Sequence, residues 1–190
     1  RFILFKSKFC SAKFQRLYTR DTYDHIVLIE NKNGVISLYQ SSINGDTNYV
    51  FWDSIIIGKF FWLFDLMTYR RLNFEAKSEE ELKNKQKEIE EKFDEFADDT
   101  YGKKYYLSIK NLVCCDGIDE TQRKGEWKNM KGFSCSALAI AFYIKIGAIK
   151  YNRNIHSVRP GDFQSNKNTI SFNDKFSFGP EKIIDFSDCY

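Results

Sequence analysis

Residues 24–40 read Asp-His-Ile-Val-Leu-Ile-Glu-Asn-Lys-Asn-Gly-Val-Ile-Ser-Leu-Tyr-Gln. Two apolar, β-branched runs, 25–30 and 35–40, flank Asn33-Gly34, a dipeptide that favours the two-residue hairpin turn. The stretch predicts two antiparallel strands with a polar residue at each outer end, His25 and Gln40. Working outward, residues 2–6 read as a short buried strand and 49–52 as a third hairpin strand after a polar loop at 41–46. Residues 54–66 read as a short apolar helix and 67–74 as another strand. The expected fold class is α+β, an antiparallel sheet with helices packed against it.

Two helices stand out. Residues 76–99 carry a capping box (Ser78 with Glu81) and favourable pairs at Glu79–Lys83, Glu81–Lys85 and Glu88–Lys92. Leu82, Ile89, Phe93 and Phe96 form one apolar stripe, Gly102 is the stop, and the charged side reads as a solvated face outside the core. Residues 135–146 form the second helix, with Leu138, Ile140, Ala141, Phe142 and Ile144 inside it and Gly147 as its C-terminal stop. Residues 107–131 are poorly patterned and read as a loop insertion. Arg159-Pro-Gly-Asp162 reads as a turn, and residues 169–186 as strand and loop.

Composition bounds the function. The chain has 190 residues, enough for one domain with a real core. An aromatic share of 17% argues against disorder. A formal charge of +3 gives no case for nucleic acid as a partner. The most apolar stretch, 54–67, holds Lys59 and Asp65 and is too short for a transmembrane segment. Five cysteines without regular spacing, and no Asn-x-Ser/Thr sequon, favour an intracellular, cytoplasmic setting over a secreted disulfide-bonded one. No metal or cofactor is implied, since adjacent Cys114 and Cys115 chelate one ion poorly and Cys10 and Cys189 stand alone. The start at Arg1, directly in an apolar run, reads as a single domain cut from a longer protein.

One constellation carries chemistry. Cys135 opens its helix within Gly132-Phe-Ser-Cys-Ser-Ala-Leu-Ala139. A helix N-terminus offers free N–H groups and partial positive charge, both favouring thiolate over thiol. The same groups can receive a developing oxyanion. With two histidines in the chain, the base is His25 or His156. His25 begins a strand and can face a cleft, whereas the polar neighbours of His156 predict an exposed loop. Gln40, on the neighbouring strand, can accept the His25 ring N–H and orient it.

Five motifs in order resemble those of the permuted papain-like cysteine hydrolases, in the YiiX/YaeF-like branch of the NlpC/P60 superfamily. Asp24-His-Ile-Val-Leu-Ile29 resembles the family's His strand, and Phe133-Ser-Cys-Ser-Ala-Leu-Ala139 its Cys helix start. Tyr69-Arg-Arg-Leu72, Tyr101-Gly-Lys-Lys-Tyr-Tyr106 and Arg159-Pro-Gly-Asp-Phe163 are similar to its remaining segments. The resemblance covers about 2–184. It implies Cys135 as nucleophile, His25 as base, and Gln40 where the family usually has Glu. Ala137, Val27 and Lys104 stand where Glu, Gly and Pro are common.

The resemblance implies acyl transfer through a thioester, by an amidase or peptidase-like hydrolase or by a lipid acyltransferase or esterase. Its partners are then a peptide, amide or lipid-acyl substrate. Tyr23, Asp24, Phe133, Ser134 and Trp52 lie near the catalytic residues in sequence and are candidate substrate-binding positions. The rival reading is a catalytically weak or inactive papain-like domain, a scaffold or binding module for protein partners within a larger assembly. Neutral Gln40, and the surfaces of 76–99 and 107–131, favour it.

Overall fold

The computed structural model describes residues 1–107, 117–118 and 120–187. The first half of the chain gives β1 (Phe2–Ser7), α1 (Cys10–Thr19), β2 (His25–Lys32), β3 (Val35–Ser42), β4 (Gly45–Phe51) and α2 (Trp52–Ile57). A 3-10 turn (Phe60–Leu63) then leads into β5 (Phe64–Arg70), β6 (Leu72–Phe74), α3 (Glu79–Thr100) and β7 (Lys104–Tyr105). The remainder forms α4 (Glu120–Lys124), β8 (Gly132–Phe133), α5 (Cys135–Lys145), β9 (Ile149–Lys150), β10 (Ser171–Phe172), β11 (Phe176–Phe178) and β12 (Lys182–Ile183).

Six strands build one antiparallel sheet in the order β12-β5-β1-β2-β3-β4, and short pairs join β6 to β11, β9 to β10 and β7 to β8. Asn33 and Gly34 both hold positive φ, 54° and 86°, the conformation a two-residue hairpin requires. Phe2, Leu4, Ile26, Leu28 and Tyr39 face α5, which is buried from Cys135 through Tyr143 and lies on β2 and β3. Ile3, Phe5, Val27, Leu38 and Met67 fill the other face, covered by Ile55 and Phe61. With both faces covered, these strands need apolar side chains at consecutive positions, which explains their unbroken runs.

Several elements differ from the sequence reading. The α3 helix is part of the core: Phe93, Phe96, Ala97 and Thr100 are buried, and its last turns pack on α5. Its buried residues concentrate at the C-terminal end, while the charged side, with Glu91, Asp94, Glu95 and Asp98, stays solvated. Half of the expected capping box forms, with Ser78 Oγ accepting the Glu81 N–H at 3.1 Å, while the Glu81 carboxylate takes the Lys77 N–H at 2.6 Å instead of that of Ser78. The Glu81–Lys85 pair does not form, because Lys85 pairs with Glu88 and Glu81 with Lys175. The expected helix over 54–66 stops at Ile57. Gly58 and the left-handed Lys59 (φ 53°) break it, and Phe64 joins the sheet opposite Ser7. The strand over 67–74 divides at Arg71 into β5 and β6.

Residues 10–19 form a helix that the sequence reading does not predict, although Phe14, Leu17 and Tyr18 stand at helical spacing. Its anchor is polar: the buried Arg16 guanidinium pairs with Asp24 and also donates to Ser7 O at 2.9 Å. Asp24 further accepts the Ser7 N–H (2.9 Å) and hydroxyl (2.6 Å). Within the expected 107–131 insertion, residues 108–116 and 119, with Cys114 and Cys115, lie outside the described residues, as does Cys189. The rest is no open loop, since α4 and a 3-10 turn carry buried Trp127 and Met130. No helix among the described residues is long and apolar enough to cross a membrane.

The packing predicts a sharp contrast between two residues. Phe96→Ala, fully buried, should cost about 3–5 kcal/mol, whereas Leu17→Ser, 77% exposed, should stay within about 0.5 kcal/mol of wild type. Urea unfolding midpoints measure both.

Candidate active site

The pairing of β2 with β3 runs from Lys32–Val35 to Leu28–Tyr39 and stops there. Both strands continue, β2 against β1 and β3 against β4. Past Leu28 the edge of β2 that faces β3 is therefore open, and the first turn of α5 enters the gap. Ser41 Oγ, on the β3 side, donates to Phe133 O at 2.6 Å and fixes the chain just before the helix. Gly132 sits tight against β7, where a Cβ would stand 2.2 Å from Lys104 O, so only glycine fits. Ser134 caps the helix, its hydroxyl accepting the Ala137 N–H at 3.2 Å, and Ser136 Oγ donates to Val158 O at 2.7 Å.

These restraints bring the Cys135 thiol beside His25, where each group acts on the other's ionisation. His25 Nε2–H donates to Gln40 Oε1 at 2.8 Å, which leaves Nδ1 for the sulfur. The His25 ring lies beside Phe5, centroids 5.8 Å apart. The backbone N–H groups of Ile26, in the opened edge of β2, and of Ser136, in the first turn of α5, also favour the Cys135 thiolate.

The electrostatics follow from this geometry. Burial pushes the Cys135 thiol up, but the adjacent His25 charge, its hydrogen bond and the two backbone N–H groups outweigh it, so the thiol lies below its ordinary value. Burial pushes His25 down, but the Cys135 charge, its hydrogen bond, Gln40 and Asp24 outweigh it, so the imidazole lies above 6.5. Each group favours the charged form of the other, so the two titrate as a pair shifted toward thiolate and imidazolium.

Other positions named from sequence take varied places. Asp24 is buried in the Arg16 and Ser7 network and acts on His25 through its charge. Tyr23 is buried and donates to Glu181 at 2.6 Å. Phe133 is fully buried against Phe96, so its ring is core. Ser134 is the helix cap. Trp52 is not brought to the site: it follows Phe51, which pairs with Ser37 at the far end of the ladder, while Gln40 pairs with Asn48. Trp52 packs instead toward Phe186. His156 lies in no exposed loop. Asn154 caps its 3-10 turn, Ile155 beside it is fully buried, and its own ring is buried edge-on to Tyr106, 4.9 Å between centroids. The ring that acts on Cys135 is that of His25.

Tyr105 is a site residue that patterning did not single out. It sits in β7 beside Phe133, and burial together with the Cys135 charge raises its phenol well above the ordinary range. It is therefore a neutral hydroxyl close enough to feel the sulfur. Its only sequence signal is its place in the Tyr101-Gly-Lys-Lys-Tyr-Tyr106 segment. Among the described residues no group of three or more His, Cys, Asp or Glu could hold a metal ion.

The coupled pair predicts a pH signature. Iodoacetamide alkylation of Cys135 should reach half its maximum rate below the ordinary thiol value of 9.0. In His25→Ala burial acts without its counterweight, so the midpoint should move up and the rate at pH 7 should fall on the order of tenfold or more. Peptide mapping by mass spectrometry reads both. Compared with known proteins, the chain matches no family model, no curated protein and no solved structure.

Proposed function

We propose that this chain is a cysteine-dependent acyl-transfer enzyme of permuted papain-like type. One observation carries the reading: Cys135, at a helix N-terminus, stands beside His25, close enough for each to shift the other's ionisation, and Gln40 holds a His25 ring nitrogen at 2.8 Å. The antiparallel sheet with α5 on its face, and the order His before Cys along the chain, support the same assignment.

In the proposed reaction the Cys135 thiolate adds to a substrate carbonyl carbon, and the oxygen takes the electron pair. The Cys135 N–H, which opens the first α5 turn without an intrahelical acceptor, and the neutral Tyr105 hydroxyl are the donors assigned to that charge. His25 Nδ1–H passes its proton to the leaving nitrogen or oxygen as the carbonyl carbon releases it, which leaves a thioester on Cys135. Neutral His25 then takes a proton from water, hydroxide adds to the thioester, and the C–S bond breaks. The products are a carboxylic acid and the restored ion pair. Gln40 keeps Nε2 protonated throughout and aims Nδ1 at the sulfur, a task an amide can perform without charge.

A second reading, a papain-like scaffold without turnover, draws on the 6% exposure of Cys135. Acylation separates the two. An activated nitrophenyl ester should release about one equivalent of nitrophenolate in a burst and leave a hydroxylamine-labile adduct on Cys135, absent in Cys135→Ala. Tyr105→Phe should slow acylation about 10²–10³-fold yet leave iodoacetamide alkylation, which forms no oxyanion, within about twofold of wild type. A Cys135 that alkylates but never acylates supports the scaffold.

A further inference from the structure

His25 begins β2 at one end of the sheet, and the same end carries an unusual surface. There Ser7 at the end of β1 pairs with Phe64 at the start of β5, and the Lys8 N–H bonds Leu63 O at 2.9 Å. Two segments meet the sheet at this junction, α1 after β1 and the 60–63 turn before β5. Both put large apolar side chains into solvent. Phe14 is 72% exposed, Leu17 77%, Tyr18 73% and Trp62 58%, and Phe9 and Phe60 are each about half exposed. Phe14, Leu17 and Tyr18 fall at i, i+3 and i+4, one face of α1. Arg16 alone in this helix is buried, so α1 is held to the body by an ion pair and turns its apolar face away.

Charge identifies the occupant. Every charged residue from 8 to 20 is basic, and Lys59 lies between the exposed Asp53 and Asp65, so the exposed charge of the two segments, Lys8, Lys13, Arg20 and Lys59 against two aspartates, is net positive. Protein–protein interfaces are depleted in lysine, whereas aromatic and leucine side chains flanked by Lys and Arg are what a bilayer headgroup region receives. A basic rim is complementary to anionic lipid and gains with each added cation. No described helix can span a bilayer, so such a surface lies on the membrane.

We propose that this end of the molecule docks on an anionic lipid bilayer, inserting Phe14, Leu17, Tyr18 and Trp62 below the headgroups with the four cations around them. Where the acyl-transfer reading above holds, on which this extension rests, docking brings lipid acyl groups to the Cys135 end of the sheet and makes a lipid the substrate class. Docking itself does not require catalysis.

Vesicle co-sedimentation of the full chain tests the surface, with phosphatidylcholine vesicles set against vesicles containing 30% phosphatidylserine. The chain should pellet with the anionic vesicles and remain largely in solution with the neutral ones. F14S/L17S/Y18S and K13E/K59E should each weaken pelleting on the order of tenfold or more. Both variants should keep the wild-type unfolding midpoint and Cys135 alkylation rate. Cys135→Ala should pellet like wild type, so failure of catalysis and failure of docking are read separately. Equal pelleting with both vesicle types, no pelleting, or unchanged pelleting of the variants would overturn the proposal. So would a concentration-dependent dimer, dispersed by F14S/L17S/Y18S, in a chain that ignores vesicles.

Discussion

The structure turns on one interrupted ladder. β2 and β3 stop pairing after Leu28–Tyr39, and what replaces the missing strand contacts is the first turn of α5. The Ile26 N–H, which would otherwise bond across the hairpin, faces the Cys135 sulfur. Ser41, which would otherwise continue the ladder, holds Phe133 O. His25 and Gln40 bridge the two strands above the gap through their side chains. The sheet thus spends its backbone hydrogen bonds on positioning a thiol.

This arrangement joins stability to reactivity. A buried thiolate alone is unfavourable, as is a buried imidazolium. Together they compensate one another, and the two backbone N–H groups shift the balance further toward the charged pair. Asp24 adds its negative charge from a network that also fastens α1 to β1. Removing Asp24 therefore disturbs both the seat of α1 and the charge on His25. Rigidity comes from the surroundings: α5 is enclosed by the sheet and α3, so the Cys135 backbone has little room to move.

The hairpin, the Ser78 cap and the Cys135 helix were legible because each is local, set by a turn dipeptide, a capping side chain or a helical apolar run. Cys135, His25 and Gln40 could be named because few residue types do this chemistry and the chain has two histidines. What stayed hidden depends on distance in the chain. The α1 helix is held by an ion pair between Arg16 and Asp24, which hydrophobic periodicity does not register. The core role of α3 depends on its C-terminal rings meeting α5. His156 reads as polar loop, yet Asn154 and Ile155 fold it inward. Tyr105 gains its place by parallel pairing with a strand 28 positions on, Tyr105 to Phe133, which no local signal encodes.

The ionisation of His25 tests the central claim most directly. Nitrogen-15 chemical shifts of the imidazole, followed against pH, report its charge at each ring nitrogen. The Cys135–His25 pair predicts that His25 titrates above 6.5 and that in Cys135→Ala, where burial dominates, its midpoint falls below the wild-type value. A His25 that titrates at or below 6.5 in the wild type, or whose midpoint ignores Cys135→Ala, would contradict it.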